Sequence, residues 1–158
     1  TRNTLSGGIK LLHENQQQKD LLMNNLDLLP NFINETVRCV SPVIHMRRTS
    51  LEEAEINGQK IGPYEKISLW YGAANRDPDI FENPDEFNIL RENADKHLAF
   101  GIGRHTCLGK PVALMQLKEF YSQFLTRFKD FEMNGDWKVA PNNFVHAIQE
   151  MPIKFTPE

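Results

Sequence analysis

The first forty residues place apolar side chains three and four positions apart, which is the spacing of one face of an α-helix. These positions are Leu5, Ile9, Leu12, Leu21, Leu22, Leu26, Leu29, Phe32, Ile33 and Val37. The polar run HENQQQKD (residues 13–20) interrupts the pattern, and Pro30 suits a first helical turn. The spacing predicts three helices within residues 1–40.

From residue 42 to residue 72 the pattern changes to short segments, PVIHMRRT, AEINGQKI and KISLWYG. Asn57-Gly58, inside the second segment, is a strong hairpin signal. We therefore predict a small sheet here. Residues 75–96 carry prolines and acidic side chains without periodicity, which predicts an ordered loop with at most one helical turn.

After Gly109, apolar residues at helical spacing predict one long amphipathic helix. They are Val112, Leu114, Leu117, Phe120, Tyr121, Phe124, Leu125 and Phe128. Strands are expected near NFVHAI (residues 143–148) and MPIKFT (residues 151–156). The whole pattern predicts an α+β fold that is mainly helical.

Composition limits the function classes. With 158 residues, of which 40% are hydrophobic and 25% charged, the sequence is typical of one soluble globular domain. The net charge of -3 gives no general attraction for nucleic acid or acidic lipid, and no apolar run is long enough to span a bilayer. Cys39 and Cys107 form no C-x-x-C pair, which excludes a disulfide framework and a four-thiolate zinc site and fits a reducing cytoplasm.

The sequence begins without methionine, and its first helical pattern, TRNTLSGG, starts at residue 1 without a capping residue or a leader. The loop of more than twenty residues before the glycine-rich segment is long for a free-standing domain of this size. We expect a fragment of a longer protein.

The segment HLAFGIGRHTCLG (residues 97–109) surrounds Cys107 with three glycines, just before the long predicted helix. An isolated cysteine is most often a small buried hydrophobe. At this position, however, backbone N–H groups and the positive helix terminus would stabilise a thiolate, which could bind a metal. Zinc could use His97, His105 and Cys107, although their spacing resembles no common structural zinc site. Haem iron is the other candidate, since an axial thiolate needs a close backbone loop and a helix packed beneath the ring.

The segment FGIGRHTCLG (residues 100–109) resembles the cysteine-loop signature F-G-x-G-x-H-x-C-x-G of bacterial cytochromes P-450 and matches it at every specified position. ETVR (residues 35–38) resembles the E-x-x-R motif of the family's K helix. ANRDP (residues 74–78) and FNILR (residues 87–91) resemble its meander. The segment NFVHAIQEMPIKF (residues 143–155) resembles its last substrate-contacting turn and strand.

This resemblance covers essentially the whole chain. It implies that residues 1–158 are the C-terminal, proximal haem-binding part of a single cytochrome P-450 domain, from the end of the I helix to the C-terminal strands. The N-terminal part of that domain would be missing. The acid-alcohol pair of the I helix would lie outside the chain, with Thr1 adjacent to it.

The resemblance implies haem b as the cofactor. Its haem-binding residues would be Phe100, Gly101, Gly103, His105, Cys107, Gly109 and Arg48. Cys107 would be the catalytic axial thiolate and the iron ligand. Phe100 would pack on the sulfur side of the ring, and the first two glycines would turn the backbone and aim N–H groups at the sulfur. His105 and Arg48 would bind the haem propionates, whereas ordinary surface roles are the alternative for both.

Glu35 and Arg38 lie three residues apart and would, as a surface ion pair, stabilise a helix by about 0.2–0.5 kcal/mol. The resemblance implies that they join Arg91 in a buried structural network that fixes the meander beneath the haem. The substrate-contact candidates implied by the resemblance are Val43, Ile44, His45, Met46, Phe144 and Val145. Core packing is the alternative for these side chains.

The implied activity is a haem-thiolate monooxygenase that hydroxylates an unactivated C–H bond of an apolar aliphatic substrate, using O2 and two electrons. TRNTLSGG, VIHMRRTSLEEAEI and LWYGAANRDP look most like alkane and fatty-acid terminal hydroxylases, followed by steroid side-chain hydroxylases. A peroxygenase, a haem-dependent isomerase or dehydratase, and an inactive haem-binding remnant are the alternatives.

The implied electron donor is a ferredoxin with its ferredoxin reductase, or a similar protein. Arg104, Lys110 and Lys118 could present positive charge to such an acidic partner, although a solvated helix face explains them equally well. We expect a bacterial cytoplasmic enzyme without a nucleic-acid partner or a membrane span.

Overall fold

The computed structural model describes residues 1–156, and its architecture is mixed, with most of the core in helices. The α-helices are α1 (Arg2–Glu14), α2 (Gln16–Asn24), α3 (Leu29–Val40), α4 (Tyr71–Ala74) and α5 (Lys110–Arg127). Single 3-10 turns occur at Leu26–Leu28, Ala94–Lys96 and Gly103–His105. The predicted α+β fold is confirmed.

The three helices predicted within residues 1–40 are confirmed as α1, α2 and α3. Pro30 occupies the first turn of α3, where its missing N–H costs no helical hydrogen bond. At its other end α3 stops at Ser41, which adopts the left-handed conformation with φ 40°. The long helix predicted after Gly109 is also confirmed, because α5 begins at Lys110 and carries Pro111 in its first turn.

The strands are short and pair antiparallel in twos. They are β1 (His45–Thr49), β2 (Ala54–Ile56), β3 (Gln59–Ile61), β4 (Lys66–Trp70), β5 (Glu132–Met133), β6 (Lys138–Val139), β7 (Ile148–Glu150) and β8 (Ile153–Lys154). β1 pairs with β4, β2 with β3, β5 with β8 and β6 with β7.

The predicted hairpin is confirmed, since Asn57 and Gly58 connect β2 to β3 and have φ values of 49° and 78°. Two consecutive positive φ angles define the turn that Asn-Gly favours. The predicted small sheet is present as two separate ladders rather than one. β1 and β4 pair from His45 opposite Trp70 to Thr49 opposite Lys66, and the β2–β3 hairpin is a second ladder.

The C-terminal strands differ in part from the prediction. NFVHAI forms no strand until Ile148, and upstream of it Val145 makes only an isolated antiparallel bridge to Val43. The sequence pattern predicts neither β5 nor β6. Residues 75–96 form the expected ordered loop, which we call the meander, and their only helical element is the turn Ala94–Lys96.

The core lies where α1, α3 and α5 pack together. Its buried side chains include Ile9, Leu12, Leu22, Leu29, Phe32, Ile33, Val37, Phe87, Ile89, Leu117, Tyr121, Phe124, Leu125 and Phe131. The Tyr121 hydroxyl donates to the carbonyl oxygens of Thr4 and Leu5 at 2.9 Å each. A Cβ at Gly8 would overlap this hydroxyl, so glycine allows α5 to approach the backbone of α1. No helix in the described residues has the length and apolar composition of a membrane span.

Candidate functional site

Residues 97–109, the cysteine loop, connect the meander to α5 by two tight turns. Gly101 and Gly103 have φ values of +72° and +67°, and a Cβ at Gly101 would lie 3.1 Å from the His105 carbonyl oxygen. The Gly101 N–H donates to Leu98 O at 2.8 Å. The Cys107 N–H donates to Phe100 O at 2.8 Å, which closes the loop on itself. The backbone therefore holds Cys107 at a defined position.

Cys107 is exposed and lies two residues before Gly109, the N-terminal cap of α5. Cys107 therefore lies beside the start of α5, where the N–H groups of the first turn have no partner within the helix. Exposed apolar side chains flank Cys107, with Ile102 75% and Leu108 97% exposed. A soft thiolate beside apolar surface is a donor set that fits haem iron.

The other haem-binding candidates lie on several elements. Phe100 is partly buried against the core, and Lys110 Nζ lies 5.7 Å from its ring centroid. His105 is exposed in the turn Gly103–His105 of the cysteine loop. Arg48 lies on β1, where it is half-buried and donates from Nη1 to Arg47 O at 3.0 Å. Gly109 is the N-terminal cap of α5, and a Cβ there would be 3.8 Å from Cys107 Sγ.

The structure does not support zinc as the alternative metal. His97 is only 7% exposed, whereas His105 and Cys107 are exposed. Residues 1–156 contain no group of three or more His, Cys, Asp or Glu side chains that could hold a metal ion.

The second thiol, Cys39, lies on α3 in a different environment. Burial, and secondarily the charge of Glu35, raise the pKa of Cys39 to about 12. Its sulfur lies 3.2 Å from Arg38 Nη2. Cys39 is therefore a neutral thiol at physiological pH, and the exposed thiol of the chain is Cys107.

Iodoacetamide at neutral pH is expected to modify Cys107 and to leave Cys39 unmodified in the folded, haem-free protein, because alkylation requires an accessible thiolate. Peptide mass spectrometry after labelling measures this directly. Cys39→Ala should keep one modified thiol and Cys107→Ser should have none. Modification of Cys39 in the folded state would show instead that its thiol is accessible to solvent.

Glu35 on α3 is the centre of a buried ion network. Arg38 binds it in a bidentate manner, with Nε 2.7 Å from Oε2 and Nη2 2.8 Å from Oε1. Arg91 Nε lies 3.1 Å from Oε1, and the Asn88 N–H donates to the same oxygen at 3.0 Å. The side chains of Glu35 and Arg38 are 0% exposed and that of Arg91 is 7% exposed. The alternative of a surface ion pair is therefore wrong.

Both arginines also donate to carbonyl oxygens of the meander. Arg38 donates to Asn75 O, Pro84 O and Glu86 O at 2.7–2.9 Å. Arg91 donates to Glu82 O, Asn83 O and Glu86 O at 2.5–3.1 Å. These bonds satisfy guanidinium N–H groups that would otherwise be buried without partners. The network thus fixes an irregular loop onto α3.

Comparison with known proteins agrees with this geometry. The sequence profile of the family described as cytochrome P-450 matches residues 10–156. The chain belongs to the cytochrome P-450 family. Members of this family bind haem b, so haem b is the cofactor that the donor set of the cysteine loop fits.

Individual cytochromes P-450 match over the whole chain. Linalool 8-monooxygenase of Pseudomonas putida is 37% identical over 100% of this chain and 39% of its own length. Steroid C26-monooxygenase of Mycolicibacterium smegmatis is 40% identical over 99% of this chain and 39% of its own length. A solved cytochrome P-450 from Novosphingobium aromaticivorans superposes with a TM-score of 0.92 at 36% identity, over 98% of this chain and 39% of that one. The chain therefore spans about two fifths of the length of these relatives.

The substrate-contact candidates of this cytochrome P-450 come from segments about a hundred residues apart, which the structure joins. Val43 forms an antiparallel bridge with Val145, and the Ile44 N–H donates to Phe144 O at 2.9 Å. The His45 ring lies 6.4 Å from the Phe144 ring. Met46, next along β1, is 38% exposed. Five of these side chains are apolar, and none belongs to the buried core of the described residues.

Sequence reasoning missed Asn75 and Ser41, which are both fully buried. Asn75 belongs to ANRDP, a motif that indicates only a part of the meander. Its side chain donates a hydrogen bond to Ser41 at the end of α3 and accepts one from the Leu98 N–H in the cysteine loop. A polar residue followed by Arg-Asp-Pro gives no sequence signal for burial, because its partners are distant in the chain.

Proposed function

We propose that residues 1–158 are the C-terminal, proximal haem-binding part of one cytochrome P-450 domain, and that the full-length protein is a haem-thiolate monooxygenase. It hydroxylates an unactivated C–H bond of an apolar aliphatic substrate with O2 and two electrons. The observation that carries this proposal is the exposed Cys107, held by a glycine-turned loop at the N-terminus of α5. Monooxygenases among the relatives that match the whole chain support the same class of reaction.

Cys107 would hold the haem iron through its thiolate in this proposal, and the haem would supply the oxygen activation when bound. The backbone N–H groups of the loop that Gly101 and Gly103 turn would donate toward the sulfur in this proposal, which would tune its basicity. Phe100 covers the loop from the core side. His105 and Arg48 provide two cationic or N–H donors for the two propionates.

The network of Glu35, Arg38 and Arg91 is structural in this proposal. Its hydrogen bonds within the described residues go to α3 and the meander, and the meander leads into the cysteine loop. Its expected contribution is therefore to haem incorporation rather than to the chemical step.

An apolar aliphatic substrate fits the segments joined by the Val43–Val145 bridge. The relatives from Pseudomonas putida and Mycolicibacterium smegmatis are named for linalool and for a steroid. A third relative, from Mycobacterium bovis, is a methyl-branched lipid omega-hydroxylase that is 33% identical. These substrates are largely hydrocarbon. Within this class, alkanes and fatty acids are the first expected substrates and steroid side chains the second.

The electron donor is proposed to be a ferredoxin with its reductase, or a similar acidic protein. Arg104 in the cysteine loop and Lys118 on α5 are exposed, and Lys110 begins α5. Their positive charge lies on the elements that hold Cys107, so an acidic donor bound there would be close to the proximal side of the haem. A cytoplasmic location in a bacterium stays a prediction.

The test is turnover by the full-length protein with a ferredoxin, its reductase and NADPH, offered a fatty acid, an alkane, linalool and a steroid in turn. Mass spectrometry should find a product with one added oxygen atom, and Cys107→Ser should form none. Oxygenation supported by hydrogen peroxide alone would favour a peroxygenase. An isomerised or dehydrated product would favour a haem-dependent isomerase or dehydratase, and no product with any oxidant would favour an inactive haem-binding remnant.

A further inference from the structure

The side-chain amide of Asn75 is buried, and each of its two terminal atoms has a hydrogen-bond partner. Asn75 is 0% exposed and lies directly after α4. Oδ1 accepts from the Leu98 N–H at 2.6 Å, and Nδ2 donates to Ser41 Oγ at 2.8 Å. Because the Leu98 N–H can only donate, the oxygen of the amide must face it, and the orientation of the amide is fixed.

One end of this bridge is anchored on α3. Ser41, the C-terminal cap of α3, accepts from Asn75 and donates from Oγ to Arg38 O at 2.8 Å. The Asn75 carbonyl oxygen also accepts from Arg38 Nη1 at 2.8 Å. Since Arg38 is bound by the fully buried Glu35, Asn75 is tied through both its backbone and its side chain to a helix of the core.

The other end is attached to the start of the cysteine loop. Leu98 gives its N–H to Asn75, and its carbonyl oxygen accepts from the Gly101 N–H at 2.8 Å. The rest of the loop is closed by the bond from the Cys107 N–H to Phe100 O. A continuous series of hydrogen bonds and short backbone links therefore runs from α3 through Asn75 and Leu98 to the peptide group of Cys107.

We propose that Asn75 is a positioning residue for Cys107. Its hydrogen bonds set the position of the cysteine loop relative to α3 and so hold the Cys107 sulfur at the N-terminus of α5. Asparagine suits the role because one short planar group supplies both an acceptor for Leu98 and a donor for Ser41. Aspartate keeps the acceptor for Leu98. Leucine, of similar size, keeps neither and leaves the partly buried Leu98 N–H without this partner.

Hydrogen exchange of the full-length protein tests this inference. In Asn75→Leu, exchange of amides in residues 98–107 should rise by about 5- to 30-fold, as expected for one lost buried contact. Asn75→Asp should return it close to the parent rate. The matched control is Asn31→Leu, because Nδ2 of Asn31 also joins α3 to the meander, through Ile89 O and Arg91 O at 2.7 and 3.0 Å, without a hydrogen bond to the cysteine loop.

A second measurement, the ferrous carbon-monoxide spectrum per bound haem, rests on the proposed function. Asn75→Leu should lose part of the thiolate-ligated band, which Asn31→Leu and Asn75→Asp should retain. If Asn75→Leu does not fold, Asn75→Ser, too short to reach both partners, takes its place. Equal loop exchange in the parent, Asn75→Leu and Asn75→Ser would overturn the inference about Asn75. A parent without a thiolate band would instead overturn the proposed function, and the exchange data would still decide the role of Asn75.

Discussion

Glu35→Gln in the full-length protein is expected to lower the free energy of unfolding by about 3–5 kcal/mol, because it removes one partner of a buried ion network. The Glu35 carboxylate is fully buried and accepts from both Arg38 and Arg91. Glutamine would leave two buried guanidinium groups without a counter-charge. Its amide N–H₂ would also face their N–H donors, since only one of its two terminal atoms can accept.

Urea denaturation and the yield of haem-containing protein measure this effect. We expect a low yield of holoprotein, whereas the fraction that does assemble should turn over at a rate near that of the parent. Glu14→Gln is the matched control: Glu14 pairs with Lys10 at 2.6 Å on the surface, and its loss should change stability by less than about 1 kcal/mol. Full haem incorporation with a selective loss of turnover in Glu35→Gln would contradict the structural role.

The helices and the β2–β3 hairpin could be predicted because their signals are local. Helical spacing of apolar residues, Pro30 in a first turn and the Asn57-Gly58 pair each specify backbone geometry within a few residues. The cysteine loop could be predicted for the same reason, since its glycines, Cys107 and the start of α5 are contiguous in the chain.

The remaining features depend on contacts between distant segments. β5 and β6 are two residues long each and are strands only because β8 and β7 pair with them. The resemblance indicated that Glu35, Arg38 and Arg91 act together, but their meander partners are backbone carbonyl oxygens, which every residue type carries. No residue pattern therefore identifies them. The role of Asn75 could not be predicted for the same reason, because its partner in the cysteine loop is a backbone N–H.

Cys107→Ser is expected to abolish both the thiolate-ligated haem spectrum and substrate oxygenation in the full-length protein. A serine hydroxyl is a hard ligand that stays protonated at neutral pH and replaces a soft thiolate poorly. Optical spectroscopy of the purified variant and the turnover assay measure the two losses. Cys39→Ala is the control and should leave both unchanged, because Cys39 is a partly buried neutral thiol on α3. Retention of parent activity by Cys107→Ser would refute its assignment as the ligand.

The most direct test of Cys107 as the axial thiolate is the reduced carbon-monoxide difference spectrum of the full-length protein, because the position of its Soret band reports the ligand opposite carbon monoxide. If Cys107 is that ligand, the band of the parent should lie at the position characteristic of thiolate ligation and represent most of the bound haem. A Soret band only at the position of histidine- or thiol-ligated haem, in a protein that has bound haem fully, would contradict the assignment.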